Sequence, residues 1–193
     1  VTAPDGYVIN KNYVEITVDS DTAYEVDEVS GDVIIEVSYE NQPVKGNLIV
    51  YKKGEMLSDF KKDFIYKEQY LSGAEFEVRA ADHQKDADGN RIVLYAKDTL
   101  VTTITTGESG KAIVKDLPLG TYSVVETKAP EGFVLNPEPV TVALTYQDQD
   151  TPFVEVEAIV GNDRQKVSIS VEKQDAENGQ VLSGAVFGIY NKK

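Results

Sequence analysis

The stretch ETKAPEGF, residues 126–133, decides how this chain is read, because a near copy of it opens the sequence. Residues 2–10 are TAPDGYVIN and residues 128–136 are KAPEGFVLN. The second copy carries Glu126 on the segment leading into it; the first begins one residue too late to include an equivalent. The chain therefore reads as a cut through a tandem array, out of phase with its repeat, in which one glutamate has a task in each complete unit.

Two further matches extend the repeat. Residues 39–54 align with 160–175, setting Asn41 opposite Asn162 and Lys52 opposite Lys173. Residues 72–80, SGAEFEVRA, align with 183–191, SGAVFGIYN. These matches predict the C-terminal part of a preceding unit at 1–41, one complete unit at 46–162 and the N-terminal part of a following unit at 166–193. The joins, 42–45 and 163–165, are short, which predicts a stiff rod rather than a flexible string.

Composition narrows the class. The 193 residues are 41% hydrophobic, an ordinary value for a folded protein, so disorder is not expected. Val, Ile, Thr and Tyr are abundant and no helical periodicity is sustained, which predicts an all-β fold. No apolar run approaches the ~20 residues of a membrane span, so membrane insertion is not expected. No signal peptide is read at the N-terminus, as expected of a mature fragment of a longer precursor. The net charge of −14 argues against a nucleic-acid partner, which needs clustered Lys and Arg. The chain has no cysteine, so it forms no disulfide, thiolate metal site or thiol nucleophile. An extracellular β-protein without disulfides needs another staple.

Period-two alternation sorts the strands into faces. Val167, Ile169, Val171 and Lys173 share one face, against Ser168, Ser170 and Glu172. By the same phase, Leu48, Val50 and Lys52 form the inward set of the complete unit, with Lys53 pointing out. Val154, Val156, Ala158, Val160 and Asn162 share a face against Glu155 and Glu157. Val33, Ile35, Val37, Tyr39 and Asn41 do likewise in the preceding unit. Tyr122, Val124 and Glu126 form the third inward set. A lysine, an asparagine and a glutamate thus each continue an apolar stripe. Turn signals complete the outline: GESG (107–110) is expected to close a hairpin between 101–105 and 111–115, and LPLG (117–120) to feed the strand that carries Glu126. Residues 55–71 read as an inserted hairpin that includes 64–67.

The pattern YSVVETKAPEGF (122–133) resembles the E-box of the Cna protein B-type domains, the CnaB or SpaA-like modules of Gram-positive pilins and adhesins. GNLIVYK, ending at Lys52, resembles that family's lysine strand. SGAEFEV (72–78) is similar to its second strand, and VGN (160–162) to its terminal asparagine strand. Four motifs stand in the family's order, covering the complete unit and both partial ones. The resemblance implies an Ig-like, prealbumin-like β-sandwich and a spontaneous isopeptide bond between Lys52 and Asn162, with Glu126 as the catalytic acid. Burial is what this chemistry needs. It disfavours the charged form of lysine, and it keeps a carboxyl protonated so that it can donate to the asparagine carbonyl and shuttle protons. Fixed proximity must activate the poor amide electrophile. The alternative is an unreacted, hydrogen-bonded cluster, in which a buried ion pair bears a desolvation cost.

These readings predict a structural stalk module of an extracellular adhesin or pilin on a Gram-positive cell wall, with neighbouring repeats as its partners. The cross-link is a single turnover, so the chain is not an enzyme, and no cofactor or metal is called for. By analogy with disulfides, closing a loop of ~100 residues stabilises by about 4–5 kcal/mol. The competing reading is a ligand-binding adhesin module that uses the insertions at 55–71 or 82–98 to hold a host protein or glycan. The lone His83 has no triad partner in view. DADGN (86–90) is similar to a calcium loop, but Lys97 stands where that loop needs a glutamate, so a plain turn is expected. Asn41 lacks a lysine and a glutamate, and Lys173 lacks an asparagine and a glutamate, so neither partial unit is expected to form a bond within itself. Nor does the sequence carry a YPK-type pilin motif or an LPxTG sorting signal. A head at 166–193 packing with the tail at 1–41 of another molecule would still lack the E-box strand.

Overall fold

Alternating strands with one apolar face each must bury that face against another sheet, and two such sheets facing each other make the core. A computed structural model describes residues 2–19, 22, 24–59, 64–85 and 93–190. Its elements are all strands: β1 (Glu25–Val26), β2 (Val33–Ile34), β3 (Lys45–Asp59), β4 (Ile65–Tyr70), β5 (Glu75–Ala80), β6 (Gln84–Lys85), β7 (Val93–Tyr95), β8 (Leu100–Thr105), β9 (Lys111–Pro118), β10 (Gly120–Lys128), β11 (Val140–Leu144) and β12 (Phe153–Asn162). No helix among the described residues is long and apolar enough to cross a membrane.

One sheet runs β11–β10–β5–β8, and the facing sheet is centred on β3, which pairs β12, β9 and β4. The first and last strands of the 46–162 unit are neighbours: β12 lies parallel to β3, from Phe153 opposite Lys45 to Asn162 opposite Gly54. The other strand pairs in both sheets are antiparallel. The inner faces supply the core. Leu48 and Val50 of β3, Phe76 and Val78 of β5, Tyr122 and Val124 of β10, and Val154, Ala158 and Val160 of β12 are all buried. Glu155 and Glu157, on the opposite face of β12, are exposed. This is the all-β sandwich that the alternation predicts. The inserted hairpin also forms: β3 runs on past the sandwich and pairs β4, with Lys53 opposite Tyr70 and Leu57 opposite Tyr66.

The GESG turn corrects an expectation. The segments on either side of it do not pair with each other. β8 joins the sheet of β5, while β9 joins β3 in the facing sheet. The cause is Thr106, buried at 3% exposure. Its backbone N–H donates to Ala74 O, its Oγ1 donates to Leu71 O, and it accepts from Ala74 N–H. That pins the chain to the edge of β5, and the turn then carries it across to the other layer. Gly110 makes the crossing possible: its φ is +66°, and a Cβ there would meet Tyr70 Cβ at 2.6 Å.

Residues 1–41 and 166–193 differ from their sequence expectation in burial. Only Val33–Ile34 of the 33–41 stripe forms a strand, paired with β1. Val33, Val37 and Tyr39 are exposed, as are Val167, Ile169 and Val171. The same alternation is present, but among the described residues no second sheet faces it. DADGN and the tip of the 55–71 insertion, 60–63, lie outside the described residues.

Candidate functional site

Three inward stripes end in polar residues, and the sandwich brings those ends together. Lys52 follows Val50 on β3, Glu126 follows Val124 on β10, and Asn162 follows Val160 on β12. Lys52 is fully buried, Glu126 is 2% exposed and Asn162 is 7% exposed. Lys52 Nζ lies 2.8 Å from Glu126 Oε1 and donates a short hydrogen bond to Asn162 Oδ1. Asn162 Nδ2 donates to the same Glu126 oxygen at 3.0 Å. The lysine nitrogen also sits 5.8 Å from the centre of the Phe76 ring. Burial pushes the Lys52 ammonium below its ordinary range, and the hydrogen bond and charge of Glu126 oppose that shift.

The contact expected between the glutamate and the asparagine carbonyl is not the one formed. The carbonyl faces Lys52, and Glu126 Oε1 takes the amide N–H instead. One carboxylate oxygen therefore bridges the two nitrogens of the cluster.

The ETKAPEGF phrase covers the mouth of the site. Its turn returns the chain so that Phe133 bridges Arg164, Val134 N–H donates to Asp163 O, and Gln165 N–H donates to Gly132 O. Phe133 packs on Gly54, where a Cβ would stand 2.5 Å from Phe133 Cε1 and 2.8 Å from Leu71 Cδ1. The glycine two residues beyond the lysine thus makes room for the aromatic cover. Asn136, Gly161 and Asn162 share a solvent-facing cleft beside it. Asn136, a residue that alternation did not single out, donates its backbone N–H to Glu126 Oε2 at 2.8 Å. The signal that points to it was in the repeat, where Asn10 occupies the matching position.

The remaining candidates lie apart. Asn41 Oδ1 accepts from Asn10 N–H at 3.3 Å. Lys173 is exposed, and its carbonyl accepts from Leu182 N–H. His83 is exposed, and its Nδ1 accepts from Lys97 N–H at 3.3 Å. Among the described residues no group of acidic or histidine side chains is placed to hold a metal ion.

A two-sheet sandwich whose first and last strands run side by side over a buried Lys–Glu–Asn cluster defines a prealbumin-like module. The chain belongs to the SpaA prealbumin-like fold domain family, whose model matches residues 59–159, just over half of its length. Among solved structures, the Bacillus anthracis TIE protein is similar at 23% identity and a TM-score of 0.50, over 85% of this chain and 24% of that one. The full-length major pilin SpaD from Corynebacterium diphtheriae matches at 25% identity and a TM-score of 0.42, over 62% of this chain and 32% of that one. The group B streptococcus pilus 2b backbone protein matches at 24% identity and a TM-score of 0.40, over 69% and 47%. The chain thus spans less than half the length of each of these structures. No curated protein matches it.

Proposed function

We propose that residues 46–162 form a load-bearing stalk module of a Gram-positive surface adhesin or pilin, closed by an autocatalytic isopeptide bond between Lys52 and Asn162. Residues 1–41 and 166–193 belong to the preceding and following repeats, which are the module's immediate partners. The observation that carries this reading is the placement of both nitrogens, Lys52 Nζ and Asn162 Nδ2, against one buried oxygen of Glu126.

The chemistry follows from that arrangement. Glu126 Oε1 takes a proton from the Lys52 ammonium, leaving a neutral amine and a neutral acid, the favoured pair in an apolar interior. The Nζ lone pair attacks Asn162 Cγ and forms the new C–N bond. The proton held by Glu126 passes to Nδ2, and a second proton leaves Nζ through the same oxygen. The Cγ–Nδ2 bond breaks and ammonia departs, leaving a secondary amide and Glu126 as the neutral acid that holds the second Nζ proton. Folding supplies the effective concentration, and the cleft beside Asn162 is the exit route for ammonia. The bond is made once per molecule, so it is a maturation step rather than turnover.

Its mechanical meaning comes from topology. Lys52 and Asn162 are 110 residues apart in sequence but lie on adjacent parallel strands. Tension entering through β3 leaves through β12 without loading the strands between them. An intact-mass measurement tests the bond, since one lost ammonia lowers the mass by about 17 Da.

A further inference from the structure

We infer that Asn136 is a positioning residue for Glu126: its side chain moors the strap after the APEGF turn so that the backbone N–H of residue 136 fixes the carboxylate. The inference rests on the cross-linking reaction proposed above and adds a residue to it.

Glu126 has two oxygens with separate partners. Oε1 faces Lys52 and Asn162, and Oε2 accepts the Asn136 backbone N–H at 2.8 Å. With Oε2 held, rotation of the carboxylate is blocked and Oε1 stays between the two reacting nitrogens. The Asn136 side chain in turn fixes the donor. Its Nδ2 donates to Gly161 O at 3.2 Å, and its Oδ1 accepts from Glu138 N–H at 3.2 Å. The first bond ties the strap to the residue immediately before Asn162; the second closes a turn at Pro137.

The N-terminal copy of the strap repeats the mooring. There Asn10 makes the same two side-chain bonds: Nδ2 to Glu40 O at 3.0 Å, and Oδ1 from Asn12 N–H at 3.1 Å. The strap pairs in the same way, with Tyr7 bridging Pro43 and Val8 N–H donating to Gln42 O. The Asn10 backbone N–H donates to Asn41 Oδ1 at 3.3 Å. The mooring thus recurs in a second strap with its own asparagine. In the complete cluster the asparagine holds the strap, and the strap's N–H holds the glutamate.

The test is the rate of ammonia loss after refolding, followed by intact mass, in the full chain and in Asn136→Ala and Asn136→Asp. Asn136→Asp keeps the acceptor for Glu138 and loses the donor to Gly161, so it preserves the turn if the alanine variant folds poorly. The expected result is slowing on the order of 10- to 100-fold in Asn136→Ala and less in Asn136→Asp. The folded fraction of the same samples, read by circular dichroism, should stay at the wild-type level in Asn136→Asp. A role in folding alone would slow the reaction only as far as the folded fraction falls, and that outcome, or an unchanged rate, overturns the role of Asn136. A wild-type chain that never loses ammonia overturns the cross-link itself, and this role with it.

Discussion

The strap that follows the AP(D/E)GX turn is built twice in this molecule, once beside Lys52, Glu126 and Asn162 and once beside Asn41. At 132–136 it lies over Lys52, Glu126 and Asn162, all buried; at 6–10 it lies beside Asn41, half-buried. The asparagine mooring and the bridge to the linker are the same in both. The strap is thus a local motif, formed from its own turn and one asparagine. The Lys–Glu–Asn cluster is a tertiary one, formed where three strands from two sheets meet.

Removing the cluster from the complete unit should have the largest effect. Asn162→Ala prevents the bond and should cost about 4–5 kcal/mol from the lost loop constraint. For a module of this size, that is a drop of about 15–20 °C in thermal midpoint, read by calorimetry. The same substitution at Asn41 should leave the midpoint within a degree or so of wild type, since no covalent loop depends on it. Equal effects at the two asparagines would erase the distinction between the units.

Next comes the cover. Gly54→Val forces a branched side chain into the space of Phe133 and Leu71 and should cost about 1–3 kcal/mol. Gly161, on the neighbouring strand, has nothing within 4 Å of a built Cβ, so Gly161→Ala should change stability by no more than about 0.5 kcal/mol. Urea titration of both variants reads the difference.

The unlinked state carries a pH signature. Burial lowers the folded-state pKa of Lys52 below its ordinary 10.5. Between those two values the unfolded chain binds more protons than the folded chain, so stability of Asn162→Ala should rise with pH across that interval. Below the interval the contribution is absent. In the linked protein Lys52 is an amide and does not titrate, so the rise should vanish. Urea unfolding at several pH values from neutral to about 10 checks the slope.

The smallest effect separates the two linkers. Arg164 stacks 3.7 Å from the centre of the Tyr66 ring and reaches Glu55 at 3.5 Å, so the inserted hairpin grips the linker after the complete unit. The matching residue in the linker before it is Pro43, whose side chain has no charge to offer. Arg164→Ala should cost about 0.5–1 kcal/mol and speed hydrogen exchange at the Val134 and Gln165 amides, leaving those of Val8 and Val44 unchanged.

Much of this was legible in the sequence because a strand's period is short and rigid. Alternation alone put Lys52, Glu126 and Asn162 in phase with Val50, Val124 and Val160, and all six are buried. The repeat by itself marked the APEGF turn. What alternation does not carry is which sheet a strand joins. GESG has the composition of a hairpin turn, yet the hydrogen bonds of Thr106 send β8 and β9 to opposite layers. Nor does it report exposure where a facing sheet is missing, so Val167 and Ile169 read as core and are exposed. The role of Gly54 depends on an aromatic ring far along the chain, and that of Asn136 on a backbone N–H that no side-chain pattern encodes.

The central claim is a covalent bond, and its mass is the most direct measurement. Intact mass spectrometry of the purified chain should give a value about 17 Da below that of the sequence, one ammonia and no more, and a digest should yield one branched peptide joining Lys52 to Asn162. Glu126→Ala should restore the full mass. A wild-type chain at its full sequence mass, with Lys52 and Asn162 recovered on separate peptides, would contradict the account.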